Sequence, residues 1–256
     1  MIPKQIHYCW FGGNPLDEKS QRCIDSWKRF FPDYEIIRWD ESNFDITQHP
    51  FIKDAYDHKK WAFVSDVTRL IVVYQNGGLY FDTDVEVIAS YEDILAESPT
   101  GFFGFEVTGF VNSGLGFAAQ KGDPFLSDII EKYKTIGFSD NLENLEKIAC
   151  PIIMTDVMKE QGYSVEDKFQ VFHDYNIYPT NYFSPLDYKT GRLKIRKKTH
   201  AIHYGNASRN DEYSRKMKAI MQRYNRLFGA KLGEKLYGIH SCIKKEGFLN
   251  YVRRHF

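Results

Sequence analysis

The segment 61–86, WAFVSDVTRLIVVYQNGGLYFDTDVE, constrains the fold of this chain more than any other part of the sequence. Apolar residues in its first half recur at helical spacing, which predicts a helix with one buried face. Ser65, Asp66 and Arg69 fall together on the opposite face of that helix. Two glycines at 77 and 78 predict its end, because helices often end on a residue with positive φ.

Two aspartates, Asp82 and Asp84, stand one residue apart at the end of the short apolar strand predicted next. If the strand continues through them, both side chains point to the same face. Carboxylate oxygens are ligands of Mg²⁺ and Mn²⁺, which often bind one or two carboxylates together with phosphate oxygens. The pair therefore predicts a site for a divalent cation and a diphosphate. The alternative is a polar strand end or turn, where Asp is common without any ligand.

Strand-like and helix-like patterns alternate along the chain, which predicts an α/β fold with a mainly parallel central sheet and helices on both faces. Ligands bind such sheets outside the carboxyl ends of the strands. A length of 256 residues suits one large domain, predicted over 1–208, with a basic helical extension over 209–256. The predicted strands are 5–10, 35–39, 79–81, 101–106, 112–118, 169–172 and 200–204, and the predicted helices are 15–31, 61–76, 125–133 and 151–160.

The composition is that of an ordinary globular protein. Hydrophobic residues make up 43% of the chain, and its net charge of zero gives no attraction to nucleic acid. The four cysteines lack C-x-x-C spacing, so we expect reduced, mostly buried thiols rather than disulfides or a zinc site. No apolar run approaches the ~18 residues that span a bilayer, and the chain opens directly into a strand pattern without a signal peptide. We therefore expect a cytoplasmic protein.

The basic residues are concentrated in the C-terminal extension. Residues 209–256 contain twelve Lys and Arg against four Asp and Glu, a net of +8, so residues 1–208 carry −8. Apolar residues within 217–228 follow helical spacing, and most basic residues lie off that stripe. Such a helix can lie on an anionic membrane surface, which would make the protein peripheral at the inner membrane face. The alternative is a helix that packs its apolar stripe on the core and leaves its charges in water.

Taken with blocks elsewhere in the chain, the segment 61–86 resembles the D-x-D region of glycosyltransferase family 32. That family contains bacterial capsule and lipopolysaccharide sugar transferases and yeast mannosyltransferases. The sequence is also similar to the catalytic core of the large clostridial glucosylating toxins. The matching residues are Ser65, Asp66, Arg69, Gly77, Gly78, Tyr80, Asp82 and Asp84. The matching blocks elsewhere are 2–7 with 10–13, 112–114 with 122–125, and 201–204 with Ser208.

The resemblance implies a GT-A type fold and a retaining sugar transferase. Its reaction would move a hexose from a nucleotide diphosphate sugar, with a UDP-sugar favoured, to a hydroxyl of a glycan or lipid-linked sugar acceptor. The implied cofactor is Mn²⁺ or Mg²⁺, which neutralises the leaving diphosphate as a Lewis acid. The implied setting is the synthesis of bacterial surface polysaccharide.

The resemblance also implies a role for each site residue. Asp84 would be the principal metal ligand, and His203 would belong to the metal and diphosphate end of the site. Asp82 would contact ribose and sugar and add to the metal site. Asp66 would contact the hydroxyls of the transferred sugar, and Arg69 would lie near sugar and phosphate. Trp10 would stack on the base, and Ser65 and Tyr80 would lie near the nucleotide. Ser208 would lie at the diphosphate, and Asn112 is the candidate for a residue near the sugar and acceptor.

Several of these residues have an ordinary structural alternative. Trp10 by itself is typical of a core tryptophan. Asp66 and Arg69 are i, i+3 neighbours and could form a surface ion pair worth under ~1 kcal/mol. A lone histidine such as His203, in an apolar strand, is commonly a structural residue with satisfied hydrogen bonds.

The chain departs from the family pattern at two places. Arg209 follows Ser208 where many relatives have Trp, and Cys150 stands where relatives often have Gly. The planar fork of Arg209 could take over a diphosphate contact, or the loop could close differently.

Two other function classes stay open. A phosphohydrolase with an aspartyl nucleophile is one, because residues 80–84 resemble that strand-end motif. Against it, Glu86 stands four residues after Asp82, where that class has Thr or Val. The other is a non-catalytic module that binds a nucleotide sugar.

Overall fold

The computed structural model of the protein describes residues 1–107, 109–205 and 212–246. The chain forms two compact units, one of Met1–Pro185 with Ile195–Arg209 and the other of Leu186–Lys194 with Asn210–Phe256. Residues 186–194, which group with the second unit, lie outside the predicted extension. The domain boundary at residue 208 stays a prediction.

Strands and helices alternate through much of the larger unit. The strands in chain order are β1 (Gln5–Cys9), β2 (Glu35–Trp39), β3 (Gly78–Tyr80), β4 (Val85–Val87), β5 (Gly101–Val107), β6 (Phe110–Val111), β7 (Phe117–Ala119), β8 (Gln170–Phe172), β9 (Tyr175–Tyr178), β10 (Leu186–Asp187), β11 (Arg192–Leu193) and β12 (Ala201–His203). The α-helices are α1 (Glu18–Phe30), α2 (Pro50–Asp57), α3 (Trp61–Asn76), α4 (Glu92–Glu97), α5 (Pro124–Lys134), α6 (Cys150–Glu160), α7 (Glu212–Phe228) and α8 (Ala230–Glu246). Segments of 3₁₀ helix lie at Ile46–Gln48, Ser113–Leu115 and Ser139–Ile148.

The central sheet has the strand order β2-β1-β3-β7-β5-β9-β8, with β6 paired to β5. β1 is parallel to both β2 and β3, and β9 is parallel to β5. β7 lies antiparallel between β3 and β5, so those two strands share a direction. Strands β2, β1, β3, β5 and β9 therefore point the same way, and their carboxyl ends meet at one edge of the sheet. The predicted α/β class with a mainly parallel sheet is confirmed.

Side chains alternate between the two faces along each strand, and helices cover both faces. Leu79 and Phe81, in β3 and just after it, pack in one apolar cluster with Trp27 of α1. Tyr80 lies between them in sequence and belongs to the opposite cluster, which α2, α3, α5 and α6 help to build. The predicted helices on both faces are confirmed, and the fold has three layers.

Local sequence explains where two of these helices begin and end. α1 begins after Asp17, whose carboxylate accepts a hydrogen bond from the backbone N–H of Ser20 at 2.7 Å. α3 confirms the predicted helix and ends at Gly77, which has a φ of 72°. A Cβ at Gly77 would lie 2.8 Å from Cδ of Pro3, so close packing as well as backbone conformation requires glycine there.

The predicted strand at 112–118 is wrong, because the 3₁₀ segment Ser113–Leu115 interrupts it. The side chain of Asn112 causes the turn, since its Oδ1 accepts a hydrogen bond from the backbone N–H of Gly114 at 2.7 Å. The chain becomes extended again only in β7. The sequence patterns also missed α2, α4, β4 and β9.

The two aspartates do not lie on a continuing strand, so a shared strand face is not what aligns them. β3 ends at Tyr80, and Asp82 and Asp84 belong to a turn in which the Val85 N–H donates to the Asp82 carbonyl at 3.0 Å. The turn, rather than the pleat of a strand, brings the two carboxylates together.

Helix α3 is buried on more than its apolar face. Asp66 is 1% exposed and Arg69 is 4% exposed, although they lie on the predicted polar face. The prediction of a single buried face is therefore wrong, and charged side chains must be satisfied inside the protein.

The smaller unit contains a helical hairpin, α7 and α8, and the antiparallel strands β10 and β11. α7 confirms the predicted helix at 217–228. Gln222 donates to the Tyr188 carbonyl at 2.8 Å, and Asn225 donates to the Lys189 carbonyl at 2.9 Å. None of the helices within the described ranges is both long enough and apolar enough to cross a lipid bilayer.

Candidate active site

The edge of the sheet formed by the carboxyl ends of β1, β3 and β5 gathers most of the predicted site residues. Asp82 follows β3, and Glu106 lies near the end of β5. His203 lies in β12, which pairs antiparallel with β4 so that His203 is opposite Val85, the residue after Asp84. This is the edge at which open α/β sheets bind ligands.

Arg69 is the central cation of this edge. Its Nη1 and Nη2 contact the two carboxylate oxygens of Asp82, each at 3.2 Å. Nη2 also lies 2.9 Å from Oδ1 of Asp66, and Nε donates to the Ser65 carbonyl at 3.0 Å. The guanidinium carbon lies 5.0 Å from the centre of the Tyr80 ring. These contacts fix the guanidinium plane and connect α3 to the end of β3.

Burial and charge act against each other in this cluster. Burial lowers the pKa of Arg69, but Asp82, Tyr80 and Asp66 outweigh that effect and hold this pKa well above its usual value. Burial raises the pKa of Tyr80, so its hydroxyl keeps the proton that it donates to Oδ1 of Asp82 at 2.9 Å. Burial also raises the pKa of the Asp82 carboxyl, while Arg69 opposes the rise. Arg69 therefore stays charged, and Tyr80 serves Asp82 as a donor.

Asp66 also supports the start of α6. Its Oδ2 accepts a hydrogen bond from the backbone N–H of Cys150 at 3.2 Å. The residue before α6, Ala149, offers no side-chain cap, so the Asp66 carboxylate takes that place at the positive end of the helix dipole. A surface ion pair between Asp66 and Arg69, the alternative for these residues, is wrong because both are buried. The contact of Asp66 with sugar hydroxyls stays a prediction.

Asp82, Asp84 and His203 form a candidate metal centre. One ligand atom from each of them lies within 4.8 Å of the other two. Nε2 of His203 is 3.2 Å from Oδ1 of Asp84. Donors on adjacent positions of an octahedral ion with bonds of about 2.1 Å lie about 3 Å apart. The residues therefore fit a divalent cation both in chemistry and in spacing.

Gly114 allows the loop after β6 to pass close to the Arg69 and Asp82 pair. A Cβ at this position would lie 2.4 Å from Oδ2 of Asp82 and 2.8 Å from Nη1 of Arg69. The Gly114 carbonyl also accepts a hydrogen bond from the Asp82 N–H at 3.3 Å. Any larger residue here would displace the carboxylate.

Glu106 joins two predicted site residues and was absent from the sequence-based prediction. Its Oε1 lies 3.2 Å from Nδ1 of His203, and its Oε2 accepts a hydrogen bond from Nδ2 of Asn112 at 2.8 Å. The signal that could have found it is its position near the end of a predicted strand. The alternation of strand residues does not show which distant side chains meet there.

The remaining predicted residues lie around this cluster or outside the described ranges. Trp10 is half-buried just after β1 and packs against the apolar cluster that contains Trp27 of α1. Its Nε1 donates to the Asn14 carbonyl at 2.6 Å. Ser65 lies on α3 one residue before Asp66 and is partly buried. Ser208 and Arg209 lie outside the described residues. The nucleotide-binding roles of Trp10, Ser65 and Ser208 stay predictions.

Known proteins share the segment that carries Asp66, Arg69 and the two aspartates of the D-x-D motif. Residues 17–100, which include α3 and both aspartates, match the family model described as "glycosyltransferase sugar-binding region containing DXD motif". The chain contains a DXD glycosyltransferase region. The resemblance stated from the sequence is thereby confirmed, and the Arg69 and Asp82 pair belongs to the matched region.

Curated relatives of this DXD glycosyltransferase region come from a yeast and a bacterium. Inositol phosphoceramide mannosyltransferase 3 of Schizosaccharomyces pombe is 33% identical over 146 residues, or 54% of this chain and 39% of that protein. Subversion of eukaryotic traffic protein A of Legionella pneumophila is 25% identical over 128 residues, or 40% of this chain and 20% of that protein. The chain thus spans less than half the length of either relative.

The fold also matches a solved glycosyltransferase. PaToxG glycosyltransferase superposes with a TM-score of 0.50 at 19% identity, covering 63% of this chain and 70% of that chain. At this level of identity the likeness concerns the fold, and it confirms the predicted GT-A type fold.

Proposed function

We propose that this protein is a metal-dependent glycosyltransferase that moves a hexose from a nucleotide diphosphate sugar to a hydroxyl acceptor. The observation that carries the proposal is the cluster of Asp82, Asp84 and His203, whose two aspartates lie within the DXD glycosyltransferase region. An imidazole beside two carboxylates suits Mn²⁺ better than Mg²⁺, because Mg²⁺ prefers oxygen ligands.

The chemical difficulty of the transfer is charge, since the leaving diphosphate becomes more negative as its bond to the sugar breaks. Asp84, Asp82 and His203 would hold a divalent cation, which would supply Lewis-acid stabilisation of that leaving group. Arg69 holds the Asp82 carboxylate in one orientation through its fork, so this part of the site needs no rearrangement during the reaction. We further propose retained anomeric configuration, with the leaving phosphate accepting the proton of the acceptor hydroxyl.

The proposed donor is a UDP-sugar, from the likeness to the glucosylating toxins. The fission yeast relative is named a mannosyltransferase, and for that reason GDP-mannose belongs in any donor screen. In both cases Trp10 is proposed to stack on the base, and Ser65 and Tyr80 to lie near the nucleotide. Asp66 and Asn112 are proposed to contact the sugar, the latter from the loop after β6.

The proposed acceptor is a lipid-linked sugar in bacterial surface polysaccharide synthesis. The name of the fission yeast relative is that of an enzyme acting on a lipid, inositol phosphoceramide. The turn between α7 and α8 supports contact with a membrane, because Leu227, Phe228 and Leu232 are 67%, 50% and 49% exposed there. Lys231 and Arg223 are exposed close to them in sequence. Apolar side chains flanked by basic ones suit the surface of an anionic bilayer.

A donor screen tests the proposal against its two rivals. Purified protein would be incubated with UDP-hexoses, GDP-hexoses and a simple phosphate monoester, each with Mn²⁺. We expect slow hydrolysis of one nucleotide sugar and no release of phosphate from the monoester. Phosphatase activity alone would support the phosphohydrolase, and nucleotide-sugar binding without turnover would support the binding module.

A further inference from the structure

We propose that Glu106 is a positioning residue that fixes the tautomer of His203, so that Nε2 of the imidazole is available to a cation beside Asp84. The proposal rests on the proposed metal-dependent function and adds a residue that no sequence motif identifies. It depends on the contacts that join Asn112, Glu106, His203 and Asp84 in series.

The direction of the first of these contacts is set by the backbone. Gly114 donates its N–H to Oδ1 of Asn112 at 2.7 Å, which identifies the oxygen of that amide. The NH₂ group of Asn112 therefore points the other way, and it donates to Oε2 of Glu106 at 2.8 Å. The orientation of Asn112 is thus fixed at both ends.

The second direction follows from the chemistry of the carboxylate. Ionised Glu106 can only accept hydrogen bonds, and its Oε1 lies 3.2 Å from Nδ1 of His203. Asp84 is an acceptor at the same distance on the Nε2 side, so Glu106 decides the tautomer when a cation occupies that side. The neutral imidazole then holds its proton on Nδ1 and leaves a lone pair on Nε2.

The third contact shows where that lone pair points. Nε2 of His203 faces Oδ1 of Asp84 at 3.2 Å. With the proton on Nδ1, a nitrogen lone pair and a carboxylate oxygen face each other, an arrangement that a cation between them would stabilise. The histidine side chain is only 8% exposed, so Glu106 sets its orientation inside the protein rather than in bulk water. Carboxylate partners of this kind orient metal-binding histidines in many sites.

The substitution Glu106→Gln reverses the hydrogen bond between residue 106 and Nδ1 of His203. Because Asn112 must donate, the glutamine oxygen would face it and the glutamine NH₂ would face Nδ1 of His203. The proton of the imidazole would then move to Nε2 and block ligation. We expect Mn²⁺ affinity to fall about 10- to 100-fold, the usual range for losing such a partner.

A second substitution, at Asn112, restores a hydrogen-bond acceptor opposite Nδ1 of His203. In the double variant Glu106→Gln with Asn112→Asp, the aspartate accepts from Gly114 and from the glutamine NH₂. The glutamine oxygen then faces Nδ1 of His203, and the pair carries the same charge as in the natural protein. We expect the double variant to recover most of the lost Mn²⁺ affinity. Asn112→Asp alone places a carboxylate against Glu106 and should not improve binding.

Two readouts test the proposal. Free Mn²⁺ is measured by electron paramagnetic resonance during titration of each variant, with urea unfolding as the control for folding. The ¹⁵N spectrum of the protein loaded with Mg²⁺, a diamagnetic cation for the same site, reports the His203 tautomer, assigned by comparison with His203→Asn. The proposal predicts a proton on Nδ1 in the natural protein and in the double variant, and on Nε2 in Glu106→Gln.

The possible outcomes separate this proposal from the proposed function. If Glu106→Gln keeps the Nδ1 tautomer and binds Mn²⁺ as the natural protein does, the positioning role is overturned while the metal site stands. A folded double variant that recovers neither affinity nor tautomer would also overturn it. If the natural protein binds no Mn²⁺, the metal-dependent function fails, and the positioning of a metal ligand fails with it.

Discussion

Arg69 and Asp82 form a bidentate ion pair, with Nη1 3.2 Å from Oδ2 and Nη2 3.2 Å from Oδ1. The hydroxyl of Tyr80 adds a hydrogen bond to the same carboxylate. The two aspartates of the D-x-D motif are therefore held differently, since Asp82 is fixed by the helix behind it while Asp84 lies beside His203. We interpret Asp82 as the rigid member of the pair and Asp84 as the principal metal ligand.

Replacing Arg69 with Met should destabilise the protein strongly. The change leaves the buried carboxylate of Asp66 and the partly buried carboxylate of Asp82 without their common cation, and breaking a buried pair in this way costs about 3–5 kcal/mol. Urea unfolding at pH 7 measures the effect. Lys28→Met is the matched control, because Lys28 forms an i, i+3 pair with Asp25 on the surface, and this variant should keep nearly the stability of the natural protein. Equal effects of the two substitutions would contradict the buried-pair account.

The cost of Arg69→Met should also depend on pH. Burial raises the pKa of Asp82, and Arg69 opposes that rise, so without Arg69 the folded-state pKa moves further above the unfolded value. A carboxyl with a raised folded-state pKa lowers stability when ionised, and this penalty shrinks as pH falls and the group is protonated. The stability gap between variant and natural protein should therefore be smaller at pH 5 than at pH 7. A stability difference that is the same at pH 5 and at pH 7 would count against Asp82 as the group whose pKa changes.

Trp10→Ala should weaken nucleotide binding by roughly 1–3 kcal/mol, the range for stacking of a base on an aromatic ring. Trp10→Phe should recover part of the loss, because the smaller ring can still stack. Calorimetric titration with UDP and GDP in the presence of Mn²⁺ measures both, and unfolding without nucleotide separates stability from binding. Unchanged affinity in both variants would leave Trp10 as a packing residue.

The turn between α7 and α8 should bind anionic vesicles at low salt. Attraction is worth about 1 kcal/mol per basic residue near the surface, and salt screens it. Replacing Leu227, Phe228 and Leu232 together by Ser should reduce sedimentation with the vesicles. Val171→Ser, at an apolar residue of β8 that is 64% exposed, is the matched control and should change nothing. Vesicle binding that is absent in the natural protein, or unaffected by the triple change, would reject this surface.

Local patterns in the sequence predicted much of the fold and part of the site. Helix α3, its end at Gly77 and the aspartates after β3 depend on neighbours in sequence, and so the pattern was sufficient. The burial of Asp66 depends on the start of α6, far along the chain, and no local pattern contains that contact. The pairing of Glu106 with His203 was missed for the same reason.

The turn at the aspartates shows a different limit. The sequence placed Asp82 and Asp84 at a strand end and left open whether the strand continues through them or turns. Hydrogen bonds that join Asp82 to the backbone of Gly114 and Val85 close a turn there. The two carboxylates lie close together, as the sequence predicted, and a turn rather than a shared strand face brings them there.

The most direct measurement is the rate of Mn²⁺-dependent hydrolysis of the donor found in the screen, in the natural protein and in Asp84→Ala. Loss of a metal ligand removes several kcal/mol of leaving-group stabilisation, so the rate should fall by about 100-fold or more. Asp33→Ala, at an exposed aspartate, should keep the full rate. Chelation should reduce the natural protein to the level of the Asp84 variant. Full activity in folded Asp84→Ala, or in excess chelator, would contradict the metal-dependent account.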